Sequence, residues 1–318
     1  MASLHICNTF FEQELECKTD LHLKKWFVAH PAIEQLQYLP LLYAGKSDRI
    51  LVSKLPKDPD SRLCLFEDFP PLPIEAWGAS AAIEAFSQEH GLHFSAPPVA
   101  LVREIQSKAF AFVHRPHIPG TALLHTPEDI AGWVEKTSGP KVLKRVLGFA
   151  GQGHFFIDRS RNLSAFMERE FSQDRPILAE PWLPRKFDFS SQWEIGKAIE
   201  LQGVTTFETS DKGSYSATLA GPIDPLFQWA IDKHLEIALP ILKKIQAMGF
   251  FGSLGIDAFV YGENQLHPIV EINARKTMSR VALMIQKGRD PDQILRMSFE
   301  SKPGGLLPGS FSRNIFIE

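Results

Sequence analysis

Residues 248–279 read MGFFGSLGIDAFVYGENQLHPIVEINARKTMS, and the fold turns on how they are read. Residues 255–261 form an apolar-rich run, Gly262-Glu263-Asn264 is turn chemistry, and residues 267–273 form a return run. That order predicts a β-hairpin. Side chains alternate faces along a strand, so Ala258 and Val260 point one way and Asp257 and Phe259 the other. On the return strand Val270 and Ile272 are expected to face a core, with Glu271 and Asn273 on the opposite face and Asp257 across from them. Two carboxylates and one amide oxygen on one small surface are hard oxygen donors suited to Mg²⁺. Arg275 adds a planar guanidinium suited to phosphate beside them. Alternating polar residues on a hairpin also make a plain solvated face, so the rest of the chain has to decide.

The frame around the hairpin is that of an ordinary folded protein. The chain has 318 residues, enough for a large core in two or three domains. Hydrophobic residues are 44% and charged residues 22%, both usual for a globular protein. A formal charge of −3 gives no electrostatic case for a nucleic acid or an anionic membrane partner. No apolar run approaches transmembrane length, and the first residues lack a basic start before an apolar stretch. The three cysteines, Cys7, Cys17 and Cys64, follow neither metal-site spacing nor a disulfide framework. Reduced thiols and a cytoplasmic location are the expectation, and homodimer formation stays open.

Upstream, residues 49–53 and 63–66 are short strand-like runs. Ser80 is placed to cap a helix ended by Gly91, and Ser95-Ala96-Pro97-Pro98 marks a boundary. A helix is expected over residues 99–114, and a second begins at Thr126-Pro127-Glu128-Asp129. Residues 141–157 read KVLKRVLGFAGQGHFFI, a strand entering a glycine-rich loop and leaving as a second strand. Glycines let backbone N–H groups approach phosphate oxygens, and a lysine at the strand end adds a point charge. No Gly-Lys-Ser/Thr follows and no helix follows, so this is neither a Walker loop nor a dinucleotide fingerprint. Lys144 is the first candidate for the phosphate lysine and Arg145 the second. Further on, residues 193–199 are strand-like. Asp224-Pro225 opens a helix whose stripe of Phe227, Ile231, Leu235, Ala238, Leu242 and Ile245 is core, kinked at Pro240. A last helix is expected near residues 278–287, before a loop tail over 303–309 placed near the active site.

The ordered set resembles the ATP-grasp superfamily, in which G-x-D on one strand is followed by E-x-N on the next. Here these are Gly255-Ile256-Asp257 and Glu271-Ile272-Asn273. The resemblance covers about residues 99–290. It implies an α/β and α+β fold: an N-terminal pre-ATP-grasp-like α/β domain (1–98), a small lobe (99–175) and a large lobe carrying the metal site (176–318). It also assigns roles. Lys108, Lys144 and the loop glycines Gly148, Gly151 and Gly153 would hold the phosphates of ATP. Glu180 with the backbone near Trp182 and Leu183 would read the adenine edge, and Asp188 the ribose. Asp257, Glu271 and Asn273 would hold two Mg²⁺ ions, for which Mn²⁺ can substitute, and Arg275 would steady the transferred phosphoryl group. The implied reaction is ATP-dependent ligation of a small-molecule carboxylate to an amine or similar nucleophile through an acylphosphate. A phosphotransferase, a regulatory nucleotide-binding module and a misread oxidoreductase are the alternatives. One departure stands out: several peptide-forming members place an arginine where this chain has Gly255.

Overall fold

The computed structural model describes residues 2–16, 22–148, 154–157, 163–171, 175–209, 215–309 and 311–318. The chain opens with a parallel sheet of order β3-β2-β1-β4. Its strands are β1 (Leu4–Ile6), β2 (Arg49–Val52), β3 (Leu63–Leu65) and β4 (Ile74–Ala76). Helices α1 (Phe11–Glu16), α2 (Leu23–Phe27) and α3 (Pro31–Leu36) carry the chain from β1 to β2. After β4, Ser80 accepts a hydrogen bond from the Ile83 N–H and starts α4 (Ala81–Glu89), the cap its position predicts. Gly91 closes that helix at φ +62°, a conformation glycine adopts without strain. Strands β1 and β4 have three residues each, too short for alternation to betray them.

The helix expected over residues 99–114 is two helices, α5 (Val99–Gln106) and α6 (Lys108–His114). Ser107 leaves the helical conformation at ψ 132°, and its hydroxyl accepts from the Ala109 N–H. The break makes Lys108 the first residue of α6, with its backbone N–H on the Val146 carbonyl at 2.8 Å. An antiparallel sheet of order β5-β8-β6-β7 follows, built from β5 (Ala122–Leu124), β6 (Lys141–Arg145), β7 (His154–Phe156) and β8 (Ile177–Pro181). Helices α7 (Pro127–Lys136) and α8 (Leu163–Phe171) accompany it, the first opened by a reciprocal Thr126–Asp129 capping box. Ile130, Trp133 and Phe166 bury against Leu143, Ile177 and Ala179. Because β8 hydrogen-bonds to β5 and β6, this sheet ends after Pro181 and not at residue 175.

The third sheet is antiparallel, in the order β13-β12-β9-β10-β11-β14-β15. Its strands are β9 (Arg185–Ile195), β10 (Ile199–Thr209), β11 (Tyr215–Ala220), β12 (Gly252–Tyr261), β13 (Gln265–Asn273), β14 (Leu295–Glu300) and β15 (Asn314–Ile317). Residues 193–199 do not form one strand. They contain the corner between β9 and β10, where the Gly196 N–H bonds the Ala198 carbonyl. Helix α9 (Gln228–Ala247) starts three residues later than Asp224-Pro225 suggests, after a 3₁₀ turn that Asp224 caps, and it runs on through Pro240. Its Ala238, Leu242 and Ile245 share one core with Ile256 and Ile272 of the hairpin and Val102 and Ile105 of α5. Helix α10 (Met278–Gln286) starts from Thr277. The C-terminal tail is a loop but lies away from the hairpin: Gln35 of α3 donates to the Arg313 carbonyl and accepts from the Phe311 N–H. No described helix is long and apolar enough to cross a membrane.

Candidate active site

The hairpin forms in the expected register. Gly255 pairs with Asn273, Ile256 with Ile272 and Asp257 with Glu271. Gly262 at φ 55° and Asn264 at φ 131° supply the turn. Ile256 and Ile272 are buried in the core, which leaves Asp257, Glu271 and Asn273 on the other face. One expectation fails at Val270. The ladder shifts between Asp257 and Phe259, where Pro268 interrupts the partner strand, and Val270 turns towards the cavity beside Glu271.

That cavity has a volume of about 220 Å³ and lies between the hairpin and β6. Asp257, Glu271, Asn273 and Arg275 line it from the hairpin, and Lys108, Lys144 and Gly148 from the opposite side. Lys108 bridges the two: its ammonium sits 2.8 Å from a Glu271 oxygen and donates to the Gly148 carbonyl at 3.2 Å. Asp188 is also in the wall, where Arg185 donates to it at 2.8 Å and Thr209 at 3.3 Å. Gly151 and Gly153 of the phosphate loop lie outside the described residues. Arg145, the second candidate for the phosphate contact after Lys144, turns away to Glu170 and Glu16.

Glu180, expected at the adenine edge, lies in a cluster of charges. Glu180 is buried between Lys144 at 2.5 Å and Arg115 at 2.6 Å, with His267 at 3.6 Å. The Trp182 N–H is spent on the Pro140 carbonyl. The space beside Glu180, Trp182 and Leu183 is about 10 Å³. In this arrangement Glu180 is one member of a buried charge cluster. Arg275 is likewise engaged, by the buried Glu12 of α1 and by the Asn273 side-chain oxygen at 3.1 Å.

Electrostatics separate the two acids of the hairpin. Burial and the neighbouring Glu271 charge push the Asp257 carboxyl upward, against the hydrogen bond from Ser190. Burial acts on Glu271 the same way, but Lys108 and Arg275 outweigh it and hold that carboxyl below its ordinary range. Two acids facing each other, one of them paired to Lys108, form a donor set that a divalent cation would complete. Mg²⁺ is commonly held by one or two carboxylates plus substrate phosphates and water. Asp257 and Glu271 fit that role, with Asn273 donating to Asp257 at 3.1 Å to orient it. Among the described residues no group of three or more His, Cys, Asp or Glu side chains is placed to hold a metal ion.

Several residues that support the wall escaped the sequence reading. Ser190 donates to Asp257 at 2.6 Å, Gln192 to Ser190 at 2.7 Å, and Thr277 to Gln192 at 2.7 Å. The polar triplet Ser190-Ser191-Gln192 between Phe189 and Trp193 was the available signal, since each of its residues is buried. His154, also in the wall, is driven down to about 3 by burial and by Lys144 and Lys108, so it is neutral. The network also explains Gly255. A Cβ there would stand 2.9 Å from both Gln192 and Thr277, so their contact occupies the space a side chain would need.

No family model matches the chain. A curated relative, the [butirosin acyl-carrier protein]–L-glutamate ligase of Niallia circulans, is 33% identical over 141 residues. The match covers 43% of this chain and spans 33% of that protein's length. Among solved structures, phosphoribosylamine–glycine ligase of Thermotoga maritima superposes with a TM-score of 0.58 at 13% identity, over 99% of this chain and 91% of that one. An ATP-grasp superfamily protein of Archaeoglobus fulgidus gives 0.54 at 11% identity, over 100% and 99%. N5-carboxyaminoimidazole synthetase of Staphylococcus aureus, solved with ADP, gives 0.52 at 14% identity, over 94% and 82%.

Proposed function

Because the chain has the ATP-grasp fold, we propose that it is an ATP-dependent ligase that activates a carboxylic acid for attack by an amine or similar nucleophile, releasing ADP and phosphate. The observation that carries this reading is the meeting of Lys108, Lys144, Asp257, Glu271 and Asn273 around one cavity from three separate parts of the chain. In this reading Lys108, Lys144 and Gly148 bind the polyphosphate, and Asp188 takes the ribose hydroxyls. Asp257 and Glu271 hold Mg²⁺, which when bound neutralises the triphosphate. Ser190 and Asn273 keep the Asp257 oxygens aimed at the cavity. Arg275 supplies positive charge beside the transferred phosphoryl group, with its guanidinium already oriented by Glu12. The protein's contribution is alignment and fixed charge. The curated relative's name joins an amino acid to a carrier protein, and an amino acid is a natural candidate for one substrate here.

Mg·ATP should raise the melting temperature, by the equivalent of about 2.7 kcal/mol at a hundredfold excess over Kd, while NAD(P) should not. With an active pair of substrates ADP appears, and hydroxylamine in place of the nucleophile yields a hydroxamate. ADP release without hydroxamate would mean transfer to a hydroxyl instead. A shift with NAD(P) and none with ATP would end the reading.

A further inference from the structure

A second cavity, of about 280 Å³, lies on the same face of the large sheet as the first. Along β9 the side chains of Ser190, Gln192 and Glu194 share one face, and across from them on β12 stand Asp257, Gly255 and Ser253. Hydrogen bonds lie along this row on either side of Gly255: Ser190 to Asp257 and Gln192 to Ser190 towards the first cavity, and Ser253 to Glu194 at 2.8 Å in the second. The row begins in the first cavity and ends in the second. What separates them is the Gln192–Thr277 contact above Gly255, a divider one residue thick. Arg275 lines both sides.

The second cavity carries two ion pairs of a particular kind. Lys276 sits 2.9 Å from Glu75 of β4, and Arg280 of α10 sits 3.2 Å from Glu194. The carboxylates are 39% exposed, while the cations are only 11% and 16% exposed. Pairs open to water on one side contribute little to stability, so their partners can be exchanged at small cost. A ligand that offers one carboxylate and one ammonium can replace both exchanged contacts and leave the cavity neutral. A dicarboxylate without an amine would face Glu75 and Glu194, and a diamine would face Lys276 and Arg280. Trp77, Phe94 and Phe250 give the remaining wall an apolar character. The volume lies below the roughly 300–1,000 Å³ of pockets for drug-sized ligands, which suits a single amino acid.

We propose that this second cavity binds a small zwitterionic α-amino acid as a substrate of the ligase, its carboxylate on Arg280 and Lys276 and its ammonium on Glu194. The proposal rests on the reading of the first cavity as the ATP site, and it adds the chemical class and place of a second ligand. Its test is direct binding by calorimetry, with the full chain, a non-hydrolysable ATP analogue, Mg²⁺ and the twenty common amino acids in turn. At least one free amino acid should bind. Its N-acetyl derivative and its carboxamide should each bind about tenfold or more weaker, the scale of losing a charge-assisted hydrogen bond. Glu194→Gln and Arg280→Met should weaken it similarly and leave the affinity for the analogue within about twofold, which also shows that both variants fold. Amino-acid binding that neither variant changes would overturn the proposal. So would binding of the analogue with no amino acid bound, an outcome that spares the ATP reading. If neither analogue nor amino acid binds, both fall.

Discussion

Lys108–Glu271 and Lys144–Glu180 are both lysine–carboxylate pairs, at 2.8 and 2.5 Å, and both lysines reach the same cavity. Their surroundings differ in charge and in room. Burial alone would raise the Glu180 carboxyl, but Lys144, His267 and Arg115 around it hold it well below its ordinary value. Beside it there is space of about 10 Å³. Glu271 instead faces a second acid, Asp257, across the hairpin, with about 220 Å³ open in front. The Glu180 centre is cation-rich and closed, and the Glu271 centre sets two acids against Lys108 and Arg275 with open space in front. Residue types alone do not distinguish a structural knot from a reactive set. The balance of charge and the space beside it do.

Breaking the closed centre should cost the most. Glu180→Ala leaves Lys144 and Arg115 buried and facing each other, and removing one partner of such a group typically costs about 3–5 kcal/mol. Urea unfolding should show it, and a loss under about 1 kcal/mol would mean that the cluster is not what holds β8 against the hairpin. Glu271→Gln should act differently on the open centre. It takes a counter-charge from Lys108 beside an open cavity, so melting should fall less than in Glu180→Ala while ADP release falls at least ~100-fold, the scale of losing one strong electrostatic stabiliser. Full turnover in that variant would return the hairpin to a solvated face.

Gly255→Ala probes the divider between the cavities. Overpacking there should cost about 1–3 kcal/mol and displace Gln192 from Ser190, lowering turnover without abolishing nucleotide binding. Unchanged stability would show that Gln192 has room to move aside. The closed centre also contributes a pH dependence. His267 is lowered to about 4, chiefly by burial, from an ordinary value near 6.5. The unfolded chain therefore binds more protons between those values. The stability this neutral ring contributes is fully present above about pH 6.5 and is lost as pH falls through about 4, at no more than about 1.4 kcal/mol per pH unit. Urea midpoints at a series of pH values, compared with those of His267→Gln, would reveal it, and an identical slope in the variant would assign the acid sensitivity elsewhere.

The parts of the fold that were legible in the sequence are those set by local chemistry. The hairpin register follows from period-two alternation and a Gly-Glu-Asn turn, and it alone places Asp257 opposite Glu271. Ser80 and Thr126 announce their helices because a cap acts within three residues. What stayed hidden depends on distance along the chain. Glu12 meets Arg275 across 263 positions, and no local pattern reports that. Glu180 was expected to meet a base because its strand could be recognised, whereas its partners Arg115 and His267 arrive from other elements. Strands β10 and β11 went unseen because half-exposed, Thr-rich segments lack a clear apolar period.

Helix α1 is only six residues long, yet it touches both sides of the first cavity. Glu12 holds Arg275 next to the hairpin, while Glu16 holds Arg145 of β6 and, through its carbonyl, Arg175 just before β8. The two glutamates are one helical turn apart, so their separation along the axis is set at about 6 Å by helix geometry. The helix is thus a strut of fixed length pinned at each end by an arginine. The small sheet and the hairpin cannot draw apart without unfastening one of those pins. A chain shortened to begin at Val99 would keep every residue proposed to touch ATP and lose the part that gauges how wide the gap between them stands.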